Sequence, residues 1–391
     1  MTEETKRLYD ADSHLFSFEA TVLRCRQEKD RYLIVLDQTA FFPEGGGQPG
    51  DIGTLGEARV LDTHEKNGEL LHYCDLPLQP GARVAGQVDR ETRLQRMQNH
   101  SGEHIFSGTA HRLYDCTNVG FHMGEKEVTL DFDRELNAEE VRTLERLANE
   151  AVRDNIPVRV FFPTAEELAS LDYRSKKELT GAVRIVEIPG VDRCACCAPH
   201  VNRTGEIGII KVLSFERHRG GTRLTILCGM QALEDYRKKQ QSVTEISAML
   251  SAKRDAVSPA VQRVLQERDA LKEKSAALAM ELVAFKAAQQ PETEGNLCLF
   301  EDFPDEIAAR ELVNLLMEKC GGLAAVFFPG SEDGTLRYII GSRHVDLRKA
   351  GKTLNAGIGG RGGGRPEMIQ GSASGSRNEI REFVLSFREE G

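Results

Sequence analysis

A chain of 391 residues has room for two or three domains, and 40% apolar against 29% charged residues is an ordinary balance for a soluble folded protein, which sets aside disorder. No apolar run reaches the about 18 residues of a membrane span, and Met1-Thr2-Glu3-Glu4-Thr5-Lys6 lacks the basic-then-apolar order of a signal peptide, so a cytoplasmic protein with no membrane partner is expected. The net charge of −10 argues mildly against nucleic acid as a partner of the whole surface, while nine cysteines, three of them Cys194, Cys196 and Cys197, suit a reducing compartment and a metal site.

Residues 1–88 read as short strands between turns: Ala20 to Leu23, Tyr32 to Leu36, Gly53 to Leu61 and Gly81 to Val88 are aliphatic or β-branched runs divided by Gly, Pro and Asp. A small β-barrel or sandwich is the economical expectation. Inside it lies Phe41-Phe42-Pro43-Glu44-Gly45-Gly46-Gly47-Gln48-Pro49-Gly50-Asp51, whose three glycines let backbone N–H groups approach a ligand or simply form a hairpin turn.

Residues 89–230 predict a second, α+β domain. A helix from Asp89 to about Tyr114 carries His100 and His104, four apart and therefore on one face, beside an apolar stripe. A strand follows at Val128 to Asp133, then a helix over 137–155 with Asn137 and Glu140 in capping-box positions, and strands at Val158 to Phe162 and Val183 to Ile188. Two histidines do not complete a metal site. The natural complement is Cys196-Cys197-Ala198-Pro199-His200, placed on a loop, with Cys196 at the matching spacing and Cys194 and Cys197 as competitors. Glu103 is expected to face solvent. Thr204 to Gly208 is a turn, and Ile209 to Phe215 with Thr222 to Cys228 predicts a hairpin with a basic tip.

From Gln231 to Gln290 the composition turns to Lys, Glu, Gln and Ala, with apolar residues at heptad-like intervals and Ser258-Pro259 dividing two seams. A helical hairpin or bent coiled coil is predicted for 231–290, and with it a homodimer. Beyond a linker, 296–391 predicts a small α/β domain. Between Arg337 and Arg381 it carries nine Lys or Arg against three Asp or Glu, and Gly359-Gly360-Arg361-Gly362-Gly363-Gly364-Arg365-Pro366 is expected to form a flexible basic loop suited to phosphate.

Taken together, Phe42 to Asp51, His100-Ser101-Gly102-Glu103-His104, Cys196 to Val201 with Thr204 to Gly208, and Gly359 to Pro366 resemble the alanyl-tRNA editing family: the freestanding AlaX-type proteins and the editing part of alanyl-tRNA synthetase. The last motif resembles the DHH-associated domain that ends long AlaX proteins. The resemblance implies a Zn2+ ion held by His100, His104, Cys196 and His200, and hydrolysis of serine or glycine wrongly esterified to the alanine isoacceptor of tRNA. It implies that Thr39 reads the serine hydroxyl, with Gly45, Gly46, Gly47 and Gln48 at the substrate, and that Arg361, Gly362, Gly363, Gly364 and Arg365 meet tRNA. The chain departs from the family at Ala198-Pro199, where Gly-Thr is usual, and at Gly120-Phe121-His122, where a glutamine is often found. The competing reading is a zinc-stabilised tRNA-binding or assembly protein without hydrolase activity.

Overall fold

The computed structural model describes residues 5–124, 126–175, 183–303, 306–330 and 335–388, so Met1 to Glu4, read above for a leader, lie outside them. The chain divides into two compact units, Met1–Ser242 and Val243–Gly391. Among the described residues no helix is long and apolar enough to cross a membrane.

The first unit begins with β1 (Lys6–Arg7), β2 (Ser17–Glu28), β3 (Arg31–Leu36), β4 (Gln38–Thr39), β5 (Gly53–Leu55), β6 (Ala58–Lys66), β7 (Glu69–Cys74) and β8 (Arg83–Val88). β1 and β4 form a short parallel pair, and the others close a barrel in the order β2-β3-β7-β6-β5-β8. Closure leaves no unpaired edge, and the inward residues Phe18, Val22, Ile34, Leu36, Phe41, Leu55 and Val60 fill the interior. The expected small barrel is present.

Helix α1 (Arg90–Tyr114) leaves the barrel directly. Asp89 caps it by accepting the Thr92 N–H at 2.8 Å, and Asp115 ends it in a left-handed conformation at φ +53°. After β9 (Asn118–Met123) and β10 (Val128–Phe132), α2 (Ala138–Arg153) carries the predicted capping box of Asn137 and Glu140. β11 (Arg159–Phe161), α3 (Ala165–Ser170), β12 (Ile185–Ile188), β13 (Asp192–Ala195), β14 (Ile210–His218) and β15 (Gly221–Cys228) follow. They build an antiparallel sheet β14-β15-β10-β9 and a smaller one β11-β12-β13. Met97, Ile105, Phe106 and Ala110 of α1 join Leu130, Leu144, Ile226 and Val201 in one core. That enclosure is why the middle of α1 is buried on polar positions as well as apolar ones. Helix α4 (Gly229–Met249) starts at the end of β15.

In the second unit, α5 (Val257–Gln289) has Pro259 in its first turn, where a missing N–H costs nothing. Then come β16 (Leu297–Phe300), α6 (Glu306–Met317), β17 (Ala324–Pro329), β18 (Leu336–Gly341), α7 (Leu347–Gly357), β19 (Gly360–Arg365), β20 (Met368–Ala373) and α8 (Arg377–Ser386). The mixed sheet runs β16-β17-β18-β20-β19, with one core containing residues of α5 and α6 and another residues of α7 and α8. Ala279, Val283 and Ala287 of α5 are buried, whereas Val261, Val264, Leu271, Leu278, Leu282 and Phe285 are exposed.

Three expectations need correction. The arginine-glycine segment is not a flexible loop but the edge strand β19, in register with β20 from Gly360–Ala373 to Arg365–Met368. Its backbone is satisfied by ladder bonds on one side, and its glycines accept the close approach of β20. Cys194 lies inside β13, so only Cys196 and Cys197 of the cysteine cluster are on a loop. Glu103 is buried, as described next.

Candidate metal centre and active site

His100 and His104 share one face of α1, and His200 is brought against them by the loop that leaves β13. The ring centroids lie 5.5 Å apart for His100 and His104, 4.9 Å for His100 and His200, and 4.5 Å for His104 and His200. Cys196 Sγ stands 3.5 Å from His100 Nε2 and 3.4 Å from His200 Nε2. One ligand atom from each of the four residues falls within 4.8 Å of the others. Tetrahedral geometry with ordinary zinc–sulfur and zinc–nitrogen bonds puts sulfur and nitrogen roughly 3.6 Å apart, so the donor set has the spacing a single ion requires.

The outer nitrogens explain why the imidazoles aim inward. His100 Nδ1–H donates to Gln48 Oε1 at 2.9 Å, His104 Nδ1–H to Asp192 Oδ2 at 2.9 Å, and His200 Nδ1–H to Ser101 Oγ at 2.9 Å. With the proton placed on Nδ1, each Nε2 lone pair is left for a cation, and outer-shell partners of this kind fix tautomer and ring orientation together. Asp192 is itself held by Arg174, whose Nε donates to Oδ1 at 2.7 Å and whose Nη2 donates to Oδ2 at 2.9 Å. Burial would lift the Asp192 carboxyl, but His104 and Arg174 hold it below the usual carboxylate range. Burial likewise opposes ionisation of Cys196, yet the neighbouring His100 and His200 take its thiol well below the ordinary value. Burial opposes a charge on His104 as well, yet Asp192 and Cys196 raise its imidazole well above the ordinary value, so a metal ion held by this thiolate and these imidazoles would displace a proton there.

The glycine loop covers this cluster. Gly46 and Gly47 have φ of +61° and +82°, which L side chains rarely adopt, and a Cβ on Gly47 would meet the Phe121 carbonyl oxygen at 2.6 Å. An ideal Cβ on Gly46 would lie 3.8 Å from His100 Cε1, so the loop's backbone passes close beside the imidazole. Gly45 N–H donates to the Gln48 carbonyl at 3.0 Å, and Met123 N–H donates to the Gly47 carbonyl at 3.0 Å. The loop is therefore pinned to itself and to β9. Its far end is anchored by Asp51, whose Oδ2 accepts from Phe42 N–H at 2.7 Å and pairs with the fully buried Arg93 of α1. Arg93 also donates to the Ser13 and Ala40 carbonyls. The salt bridge thus fixes the glycine loop to the same helix that carries His100, two turns further on.

Thr39 is fully buried within the barrel. His72 Nδ1–H donates to the Ile34 carbonyl at 3.1 Å, so its Nε2 accepts from the Thr39 hydroxyl at 2.8 Å. The same oxygen accepts Phe41 N–H at 3.1 Å. Arg361 and Arg365 lie on the exposed edge strand of the second unit, with Gly362, Gly363 and Gly364 between them. Of the competing thiols, Cys194 groups with His104 and Asp192, and Cys197 Sγ lies beside Gly45 and Gly46.

Glu103 is 1% exposed and not in solvent. It accepts from Ser107 Oγ at 2.8 Å and Asn118 Nδ2 at 2.7 Å, and its other oxygen is 3.8 Å from His104 Nε2. Nothing in the order of the residues singles out Asp192, Arg174 or Ser101. The signal available was weak: Ser101 lies inside the histidine motif, and Asp192 stands two residues before Cys194 on the same strand. At Ala198-Pro199 the Ala198 carbonyl accepts from Arg184 Nη1 at 2.9 Å, which braces the loop between Cys196 and His200.

Three family models match separate parts of the chain. The threonyl and alanyl tRNA synthetase second additional domain matches residues 183–225, which include Cys196 and His200. The class II (A) tRNA synthetase model matches residues 10–92, and the DHHA1 domain matches residues 296–390. Among curated proteins, the chain is 28% identical to the alanyl-tRNA editing protein AlaX-L of Pyrococcus horikoshii, over 97% of each chain. It is 26% identical to the alanyl-tRNA editing protein Aarsd1 of Rattus norvegicus, again over 97% of each. The alanine-tRNA ligase of Pyrobaculum neutrophilum is 31% identical over 97% of this chain, which spans 44% of the ligase.

Proposed function

We propose, from its similarity to alanyl-tRNA editing proteins over 97% of its length, that the chain is a trans-editing hydrolase that removes serine or glycine wrongly esterified to alanine tRNA. The observation that carries the reading is the convergence of His100, His104, Cys196 and His200 beneath the glycine loop, in a chain that matches editing proteins end to end. We assign these four residues as ligands of a zinc ion, because three imidazoles and a thiolate suit that metal. When bound, zinc supplies Lewis acidity and an orienting charge at the ester.

The chain's own residues account for the remaining chemistry. Hydrolysis of an ester needs stabilisation of a developing oxyanion, and we assign the N–H groups of Gly46 and Gly47 to it, since Gly45 N–H is committed to Gln48. Gln48 holds His100 in orientation while its own backbone closes the turn. Thr39 is our assignment for the group that reads the serine hydroxyl. To do so it exchanges its bond to His72 for one to the substrate, and alanine, which has no hydroxyl, leaves that exchange uncompensated. A site built on a polar contact of this kind discriminates far better than one built on shape.

The four-part layout remains our description of the chain's working parts: barrel 1–88, editing domain 89–230, helical segment 231–290 and C-terminal domain 296–391. In it Arg361 to Arg365 meet the tRNA backbone, and the exposed seam from Val261 to Phe285 supports a homodimer, which a monomeric mass by light scattering at micromolar concentration would count against. We assign the cytoplasm as the working compartment. The functional test is deacylation of seryl-tRNA for alanine by the purified protein and by His104→Ala. Activity in the first and its loss in the second is expected; no activity in either, or equal activity in both, refutes the reading.

A further inference from the structure

One imidazole outside the metal cluster is gripped from both sides. His64 of β6 has Nδ1 at 3.1 Å from Glu44 Oε2 and Nε2 at 2.8 Å from Asp62 Oδ2. The ring is hydrogen-bonded to Asp62 through Nε2 and stands at ion-pair distance from Glu44 through Nδ1; a neutral imidazole has one N–H, and protonation adds the second, on the Glu44 side. Glu44 is the residue immediately before Gly45, and apart from this contact its side chain is 60% exposed to solvent. Its backbone N–H donates to the Thr63 carbonyl at 2.8 Å, one residue from His64. The start of the glycine loop is thus attached to β6 twice, once through backbone and once through a charged side chain.

We propose that His64 is a positioning residue for the editing reaction: its imidazole ring, clasped between Glu44 and Asp62, sets where the first residue of the glycine loop sits, and through it the placement of the Gly46 and Gly47 N–H groups beside the metal cluster. The charged and titratable groups around it are few. Asp62 and His64 come from β6, Glu44 from the loop, and Tyr73 of β7 lies against the ring with centroids 5.2 Å apart. Lys66 sits over the Tyr73 ring, Arg96 of α1 acts electrostatically on Asp62, and Glu65 is paired with Arg7 at 2.8 Å. None of these is a member of the metal cluster, and loss of a proton from His64 leaves only one of its two carboxylate contacts in place. The loop end then keeps its backbone bond to Thr63 and loses the charged one.

The inference rests on the reading of Gly46 and Gly47 as oxyanion donors, but its first test does not use activity. In the zinc-loaded protein, amide resonances of Gly45, Gly46 and Gly47 are followed by NMR across the titration of the His64 ring. They are expected to move with the midpoint of that ring in the wild type and to stop following it in Glu44→Ala, where His64 retains Asp62. Glycine amides that ignore His64 in the wild type, or that follow it equally in Glu44→Ala, overturn the proposal. Because the clasp is partly solvated, Glu44→Ala is expected to lower kcat/KM on seryl-tRNA for alanine by only about two- to fivefold, with metal content unchanged. His64→Gln is expected to give a similar loss and to remove the decline in activity that accompanies His64 deprotonation. If the wild type deacylates nothing, the functional reading fails, and the amide titration still decides the clasp.

Discussion

Replacing Asp192 by Asn changes a few atoms and tests whether the proposed metal centre is held from its outer shell. In the wild type Oδ2 takes bonds from both His104 Nδ1–H and Arg174 Nη2, and Oδ1 takes one from Arg174 Nε. Asn offers one acceptor oxygen in place of two. If that oxygen stays with His104, the amide NH2 faces the Arg174 guanidinium, donor against donor; if it turns to Arg174, the NH2 faces His104 and the imidazole is driven toward the wrong tautomer. Removal of an outer-shell partner of this kind typically weakens metal binding ~10- to 100-fold, equivalent to about 1.4–2.7 kcal/mol. Competition of wild-type and Asp192→Asn protein against a chromophoric chelator measures the change directly, and thermal unfolding of both in the metal-free state separates it from a general loss of packing. An affinity within twofold of wild type, or a loss matched entirely by destabilisation of the metal-free protein, refutes the view that Asp192 acts through His104.

The same geometry gives further expected outcomes. Arg93→Met leaves the Asp51 carboxylate buried without its main partner and is expected to cost about 3–5 kcal/mol by urea unfolding, with Asp51→Asn in the same chain recovering part of it. His72 is held at about 4 by burial, against the ordinary value near 6.5, so the unfolded chain takes up its proton first as the medium is acidified. Its contribution is therefore fully present above about pH 6.5 and is lost as pH falls toward 4, by roughly 3 kcal/mol in all. Unfolding midpoints measured at pH 7 and pH 4.5 should differ more for wild type than for His72→Gln. Thr39→Val is expected to narrow the preference for seryl over alanyl ester by at least about tenfold while leaving zinc content intact; an unchanged preference in single-turnover deacylation removes Thr39 from that role.

Much of this protein is legible in the order of its residues because the relevant rules are local. The capping box of Asn137 and Glu140, the barrel strands with their aliphatic runs and the i to i+4 spacing of His100 and His104 each depend on neighbours within a turn or a strand. The spacing from Cys196 to His200 is equally local, and it identified a complement for the histidine pair. Locality also explains the errors. A glycine-rich segment reads as a loop until a neighbouring strand offers it a ladder, as β20 does for β19. A glutamate beside a ligand reads as solvated until Asn118, fifteen residues away, is folded against it.

What the tertiary structure alone decided is the outer shell of the centre. Gln48, Asp192 and Ser101 hold the three imidazoles from a loop of the barrel, a strand of the smaller sheet and the same helix, and no spacing in the chain relates them. The buried Arg93–Asp51 pair, which locks the glycine loop to the helix of the histidines, spans 42 residues. The sequence determined by itself which residues are able to bind a metal, because ligand chemistry belongs to the side chain. Which nitrogen of each ring faces the others is set by partners that only folding brings within hydrogen-bonding distance.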